Sequence, residues 1–217
     1  MNEWVMLFGA LSLGLVHALD ADHVMAVSVL SSKQNKVSAV LSSALKWGCG
    51  HGLILTLLGI VFIWLDYGLN ETLVSYAEKL AGLILIGLGV TTLLRIFTGQ
   101  LKLSNHTHGP VQHTHWIKKV FQQQSHSHTP VFVGMVHGLA GSAPIIAITP
   151  MLMQTSPTYA TFYIVLFSFG CVLGMTLFAL VWGKLCQKVQ SLEQWMINTS
   201  QMVLGALSVS LGVYWLA

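Results

Sequence analysis

At 217 residues, the chain has 54% apolar side chains and only 8% charged ones. Water-soluble domains carry about 25% charged residues, so a soluble enzyme or soluble binding domain is excluded. The net charge of +3 reflects cations gathered on one side of a membrane, which gives no basic surface for nucleic acid.

The apolar residues fall into six blocks, each near the ~20 residues needed to cross a bilayer. They are Trp4–Leu30, Val37–Leu65, Ala77–Phe97, Val131–Met153, Tyr159–Trp182 and Trp195–Trp215. The first block lacks a basic leader and is too long for a cleaved signal peptide. Within it stands His17-Ala18-Leu19-Asp20-Ala21-Asp22-His23. A carboxylate at the centre of a membrane helix costs roughly 2.5–3.5 kcal/mol, which calls for a partner to its charge. A divalent metal ion on a path through the bilayer is such a partner.

On an ideal helix His17, Asp20 and His23 span about 120° of arc, while Asp22 lies about 100° from His23. A straight helix cannot aim all four at one ion. Either the helix unwinds near Leu19–Asp22, or one acid orients a ligating histidine through its other ring nitrogen.

The second span carries Gly48-Cys49-Gly50-His51-Gly52. Three glycines around His51 allow a neighbouring helix to approach closely. After the third span, residues 99–130 contain His106-Thr-His108, His113-Thr-His115 and His126-Ser-His128. This polar segment reads as a flexible, auxiliary metal-capturing tract. The fourth span holds His137, followed by Gly138, Gly141, Ser142 and Pro144, a run suited to an interrupted helix lining a cavity. Ser142, like Asp20, is a candidate for orienting a ligand.

An internal repeat is legible at an offset of about 120 residues. Gly14-Leu-Val-His17-Ala-Leu19 matches Gly134-Met-Val-His137-Gly-Leu139, and Gly48-Cys49 with Gly52 matches Gly170-Cys171 with Gly174. Gly82 and Leu88-Gly89-Val90 match Gly205 and Leu211-Gly212-Val213. Three spans per copy invert the second copy, an architecture common among secondary transporters with a midplane site. The expected fold is therefore an all-α membrane protein of six spans in a 3+3 inverted repeat. Residues 1–98 form the first half, 99–130 a loop and 131–217 the second half.

Lys33, Lys36, Lys46, Arg95, Lys102, Lys118, Lys119, Lys184 and Lys188 lie toward one side, and Lys79 toward the other. The positive-inside rule then puts both termini outside the cell membrane and the His-rich loop in the cytoplasm. Imidazoles with carboxylates suit nickel, cobalt, copper, zinc or ferrous iron rather than magnesium or calcium. Cys49, Cys171 and Cys186 show no CxxC or zinc-finger spacing, so no disulfide framework is expected. The pseudo-symmetric Cys49 and Cys171 leave a second reading open, a membrane thiol–disulfide electron carrier.

His17 to His23 fits the H-x4-D-H signature of the nickel/cobalt transporter family, and Gly50-His51 is similar to that family's Gly-His element. Typical members have eight spans with the signature in the second. The segment from Val136 to Pro144 resembles the compact urease-accessory branch of the superfamily. The resemblance implies Ni²⁺ or Co²⁺ as a transported substrate, with no organic cofactor and no enzymatic activity. It maps metal binding onto His17, Asp22, His23 and His51, to which the repeat adds His137. Import would serve cytoplasmic nickel chaperones as partners; the loop is equally compatible with export.

Overall fold

A computed structural model describes residues 3–31, 34, 36–65, 71–98, 103–108, 111–116, 128–140, 156–190 and 194–217. In chain order the elements are α1 (Glu3–His17), α2 (Ala21–Ser31), α3 (Val37–Leu65), α4 (Glu71–Phe97), β1 (Leu103–His108) and β2 (Val111–Trp116). They continue with α5 (Thr129–Ala140), α6 (Pro157–Gln190) and α7 (Gln194–Tyr214). Helices α3, α4, α6 and α7 are long and apolar enough to cross a bilayer. Helices α1 and α2 pass the same test only as a pair, bent by 55° at their junction, so the described helices supply four to five candidate spans. The chain is a multi-pass, helical membrane protein.

Two boundaries differ from expectation. Helix α6 runs on to Gln190, past Trp182, and α4 begins at Glu71 rather than Ala77. Hydropathy marks only the lipid-facing length, whereas helix continues through good polar helix formers such as Lys184, Gln187 and Lys188. The expected span Val131–Met153 is described only across α5; its remainder, with Gly141, Ser142 and Pro144, lies outside the described residues.

Helix α3 packs against α5 and α6, α1 against α6, and α4 against α7, while α2 touches α3, α4, α6 and α7. Lipid is as apolar as leucine, so such contacts depend on small residues that let backbones approach. A Cβ on Gly14 would strike the Phe167 carbonyl oxygen of α6, and one on Gly134 the Trp47 carbonyl oxygen of α3. Between α4 and α7, a Cβ on Gly82 would lie 2.8 Å from the Gly212 oxygen, and one on Gly89 2.6 Å from the Gly205 oxygen. Hydrogen bonds add to these contacts: Ser208 Oγ donates to the Leu85 carbonyl at 2.8 Å and Thr56 Oγ1 to Ser168 Oγ at 2.9 Å. Phe8, Val16, Leu53 and Phe169 face outward, as contact with lipid requires.

Two apolar clusters fill the interior. One joins Ala10, Leu55, Ile164, Phe167 and Cys171; the other joins Ala18, Val27, Trp47, Leu85, Val133 and Met175.

The His-rich tract, expected to be flexible throughout, contains a pair of antiparallel strands with His106 opposite His113 and Ser104 opposite His115. Thr107, Val111 and Thr114, β-branched residues that favour strands, interleave with the histidines. His126 lies outside the described residues, and His128 is exposed just before α5.

Candidate metal site

The break between α1 and α2 builds the site. Helical bonding in α1 closes with Ala18 N donating to Gly14 O, then tightens as Leu19 N bonds Val16 O and Asp20 N bonds His17 O. Helix α2 starts with Val24 N donating to Asp20 O at 3.0 Å, which makes Asp20 its N-cap. Asp22 follows in the first turn of α2, where the positive end of the helix dipole favours a carboxylate.

Bending at Ala18–Asp20 brings His17 from α1 and Asp22 with His23 from α2 to one interior region. The His17 and His23 ring centroids are 4.6 Å apart. Helix α3 supplies His51, with ring centroids 4.7 Å from His23 and 5.7 Å from His17. Helix α5 supplies His137, 6.3 Å from His23. All five expected ligands are buried, His51 and His137 completely. Asp20 differs: its side chain is 50% exposed, so it stands at the edge of the cluster.

Hydrogen bonding leaves coordinating atoms free. His17 Nδ1 donates to Asp20 Oδ2 at 2.7 Å, and His23 Nδ1 to Asp22 Oδ1 at 2.9 Å. His137 Nδ1 donates to the Val133 carbonyl at 2.9 Å. A carbonyl only accepts, so Nδ1 of His137 carries the proton and Nε2 keeps the lone pair. Among the described residues, His17 Nε2, Asp22 Oδ2, His51 Nδ1 and His137 Nε2 are buried with no hydrogen-bond partner. Leaving such groups unsatisfied costs about 1–3 kcal/mol each.

His23 Nε2 and His51 Nε2 stand 3.4 Å apart. Because His23 Nδ1 already donates to Asp22, His23 Nε2 accepts this hydrogen bond and His51 Nε2 donates it, which leaves the lone pair of His51 on Nδ1. The donor set of neutral imidazole and carboxylate fits borderline divalent transition metals.

Expectation also missed two contributors. Trp47 stacks on His51 with centroids 5.0 Å apart and lies edge-on to His23 at 5.2 Å, walling the site on one side. Its place four residues before His51, one helical turn away, was the available signal. Cys171 comes from α6 and, with the imidazoles of His17 and His51, offers ligand atoms within 4.8 Å of one another. Gly138 is required for close approach, since a Cβ there would lie 2.6 Å from the His51 carbonyl oxygen. Ser142 lies outside the described residues.

Residues 8–214 match the family described as Cytochrome C biogenesis protein transmembrane region. The chain belongs to that family. It is also 29% identical over 172 residues to the urease accessory protein UreH of Bacillus sp. (strain TB-90), covering 79% of this chain and 73% of that protein. No solved structure matches. The similarity accords with the urease-accessory resemblance drawn from the Val136–Pro144 segment, while the family's description differs from nickel/cobalt transport. The three cysteines are free: Cys49 is exposed on α3 and Cys171 is buried on α6.

Proposed function

We propose that the protein is a secondary transporter of a divalent transition metal, taking up Ni²⁺ or Co²⁺ through the His17–Asp22–His23–His51–His137 cluster. The observation that carries this reading is the set of four buried nitrogen and oxygen atoms without hydrogen-bond partners, on His17, Asp22, His51 and His137 beside a broken helix. Polar groups at membrane depth mark ion pathways, and discontinuous helices form the binding sites of many transporters. The name of the urease accessory relative supports nickel as the ion.

The 3+3 inverted architecture is part of the proposal. Its support is reciprocal packing: the contacts Gly82–Gly212 and Gly89–Gly205 are images of each other under the sequence repeat. So are Gly14 on α6 and Gly134 on α3. His17 falls half-way along the α1–α2 pair and His51 half-way along α3, consistent with a midplane site. Alternating access would open this site to each side in turn.

In this mechanism, Asp20 meets the incoming hydrated ion at the half-exposed edge, buried Asp22 takes it up behind, and the imidazoles replace its water. Asp20 and the Val133 carbonyl hold the rings of His17 and His137 with Nε2 inward. With the termini outside and the membrane potential negative inside, entry of a dication is favoured by about 4.6 kcal/mol per 100 mV. His106, His108, His113 and His115 on the paired strands would receive or sense the metal on the cytoplasmic side, with His126 and His128 extending the tract. Nickel chaperones would then accept it.

Accumulation of Ni, Co, Zn, Fe and Mn in cells, measured in competition, tests the reading. His17→Ala, Asp22→Ala and His23→Ala should each abolish nickel or cobalt accumulation with the protein still in the membrane. Unchanged accumulation in all three would sink it.

The family's description favours a second reading, a thiol–disulfide carrier using Cys49 and Cys171. Such a relay needs both thiols, yet Cys49 is exposed while Cys171 is buried. Loss of function in Cys49→Ala would favour the relay; retained metal uptake would favour transport.

A further inference from the structure

We infer that Cys171 is a metal ligand, closing an inner two-imidazole, one-thiolate site with His17 and His51. This rests on the transport reading and gives the path two stages. The outer stage is Asp20, Asp22 and His23, whose ligand atoms also lie within 4.8 Å of one another and whose Asp20 is exposed. The inner stage is wholly buried.

Two independent observations meet at the thiol. The Cys171 sulfur shares a 4.8 Å neighbourhood with nitrogens of His17 and His51. Those same residues carry unpartnered buried atoms, His17 Nε2 and His51 Nδ1. The assignment of lone pairs agrees: Asp20 occupies Nδ1 of His17, which leaves Nε2 for metal. His51, if it donates through Nε2 to His23, keeps its lone pair on the unpartnered Nδ1. A packing cysteine has no need of two imidazoles with unused nitrogens beside it.

His17 links the stages, because its ring is tethered to Asp20 of the outer set while it serves the inner one. An ion passing inward exchanges two carboxylates and an imidazole for two imidazoles and a thiolate. As the sulfur–metal bond forms, the S–H bond breaks and its proton leaves to water. Soft thiolate with imidazole holds nickel, cobalt, zinc or copper and discriminates against manganese, magnesium and calcium. The inner stage is therefore a selectivity filter behind a less selective mouth.

Cobalt(II) added to the purified full-length protein in detergent tests this, because a thiolate ligand adds a near-ultraviolet charge-transfer band to the visible d–d bands. The band is expected in the wild type and in Cys49→Ser/Cys186→Ser, which retains only Cys171. It should vanish in Cys171→Ser while d–d absorption from the outer set persists. A double variant with d–d bands and no charge-transfer band overturns the inference and leaves the transport reading standing. Absence of any bound cobalt in the wild type overturns both.

Discussion

Asp20 and Asp22 are two residues apart, yet the bend gives them different work. Asp22 is buried with one oxygen unpartnered, whereas Asp20 is half-exposed and holds His17. Removing an outer partner of a ligating histidine typically costs 10–100-fold in metal affinity. Asp20→Asn is therefore expected to weaken nickel binding about 10–100-fold, measured by isothermal titration, with uptake recovering at saturating metal. Asp22→Asn is expected to leave no uptake at any concentration. Equal effects from the two substitutions would contradict this division. The sequence left open which acid faces the ion, because that depends on where the helix breaks. Trp47 offered only its place one turn before His51 as a signal: an aromatic residue in an apolar helix looks like any lipid-facing or packing residue until its neighbours are known.

At the scale of elements, the candidate spans formed by α3, α4, α6 and α7 were legible from hydropathy, and the break between α1 and α2 was one of two readings that the Asp/His cluster allowed. Helix ends were less so, because α6 and α4 continue into polar sequence where hydropathy is silent. The paired strands of the His-rich tract were masked by its polar composition. Glycine packing gives a sharp stability test. Gly134→Ala would press a methyl against the Trp47 carbonyl, whereas Gly87 has nothing within 4 Å of its Cβ position. Overpacking typically costs 1–3 kcal/mol. Gly134→Ala is therefore expected to destabilise by about 1–3 kcal/mol, seen as a lower thermal unfolding midpoint in detergent. Gly87→Ala should leave that midpoint unchanged or raise it slightly, since alanine favours helix. Replacing His106, His108, His113 and His115 together by serine is expected to lower uptake at scarce metal while preserving it at saturation. Total loss at saturation would show that the strands are obligatory to transport.

At the scale of the molecule, the fold gathers histidines from α1, α2, α3 and α5 into one buried cluster with a carboxylate, between two apolar cores. The repeat pointed to that meeting place, since His17 and His137 correspond; it was silent on Cys171, which corresponds to an exposed residue, Cys49. A site that moves a dication inward must respond to voltage. Metal passage through this cluster is read out by nickel flux into proteoliposomes at imposed membrane potential. The expected result is nickel entry that accelerates as the interior becomes negative and is abolished by His23→Ala. Flux that is absent in the wild type, or equal in His23→Ala, would contradict the account.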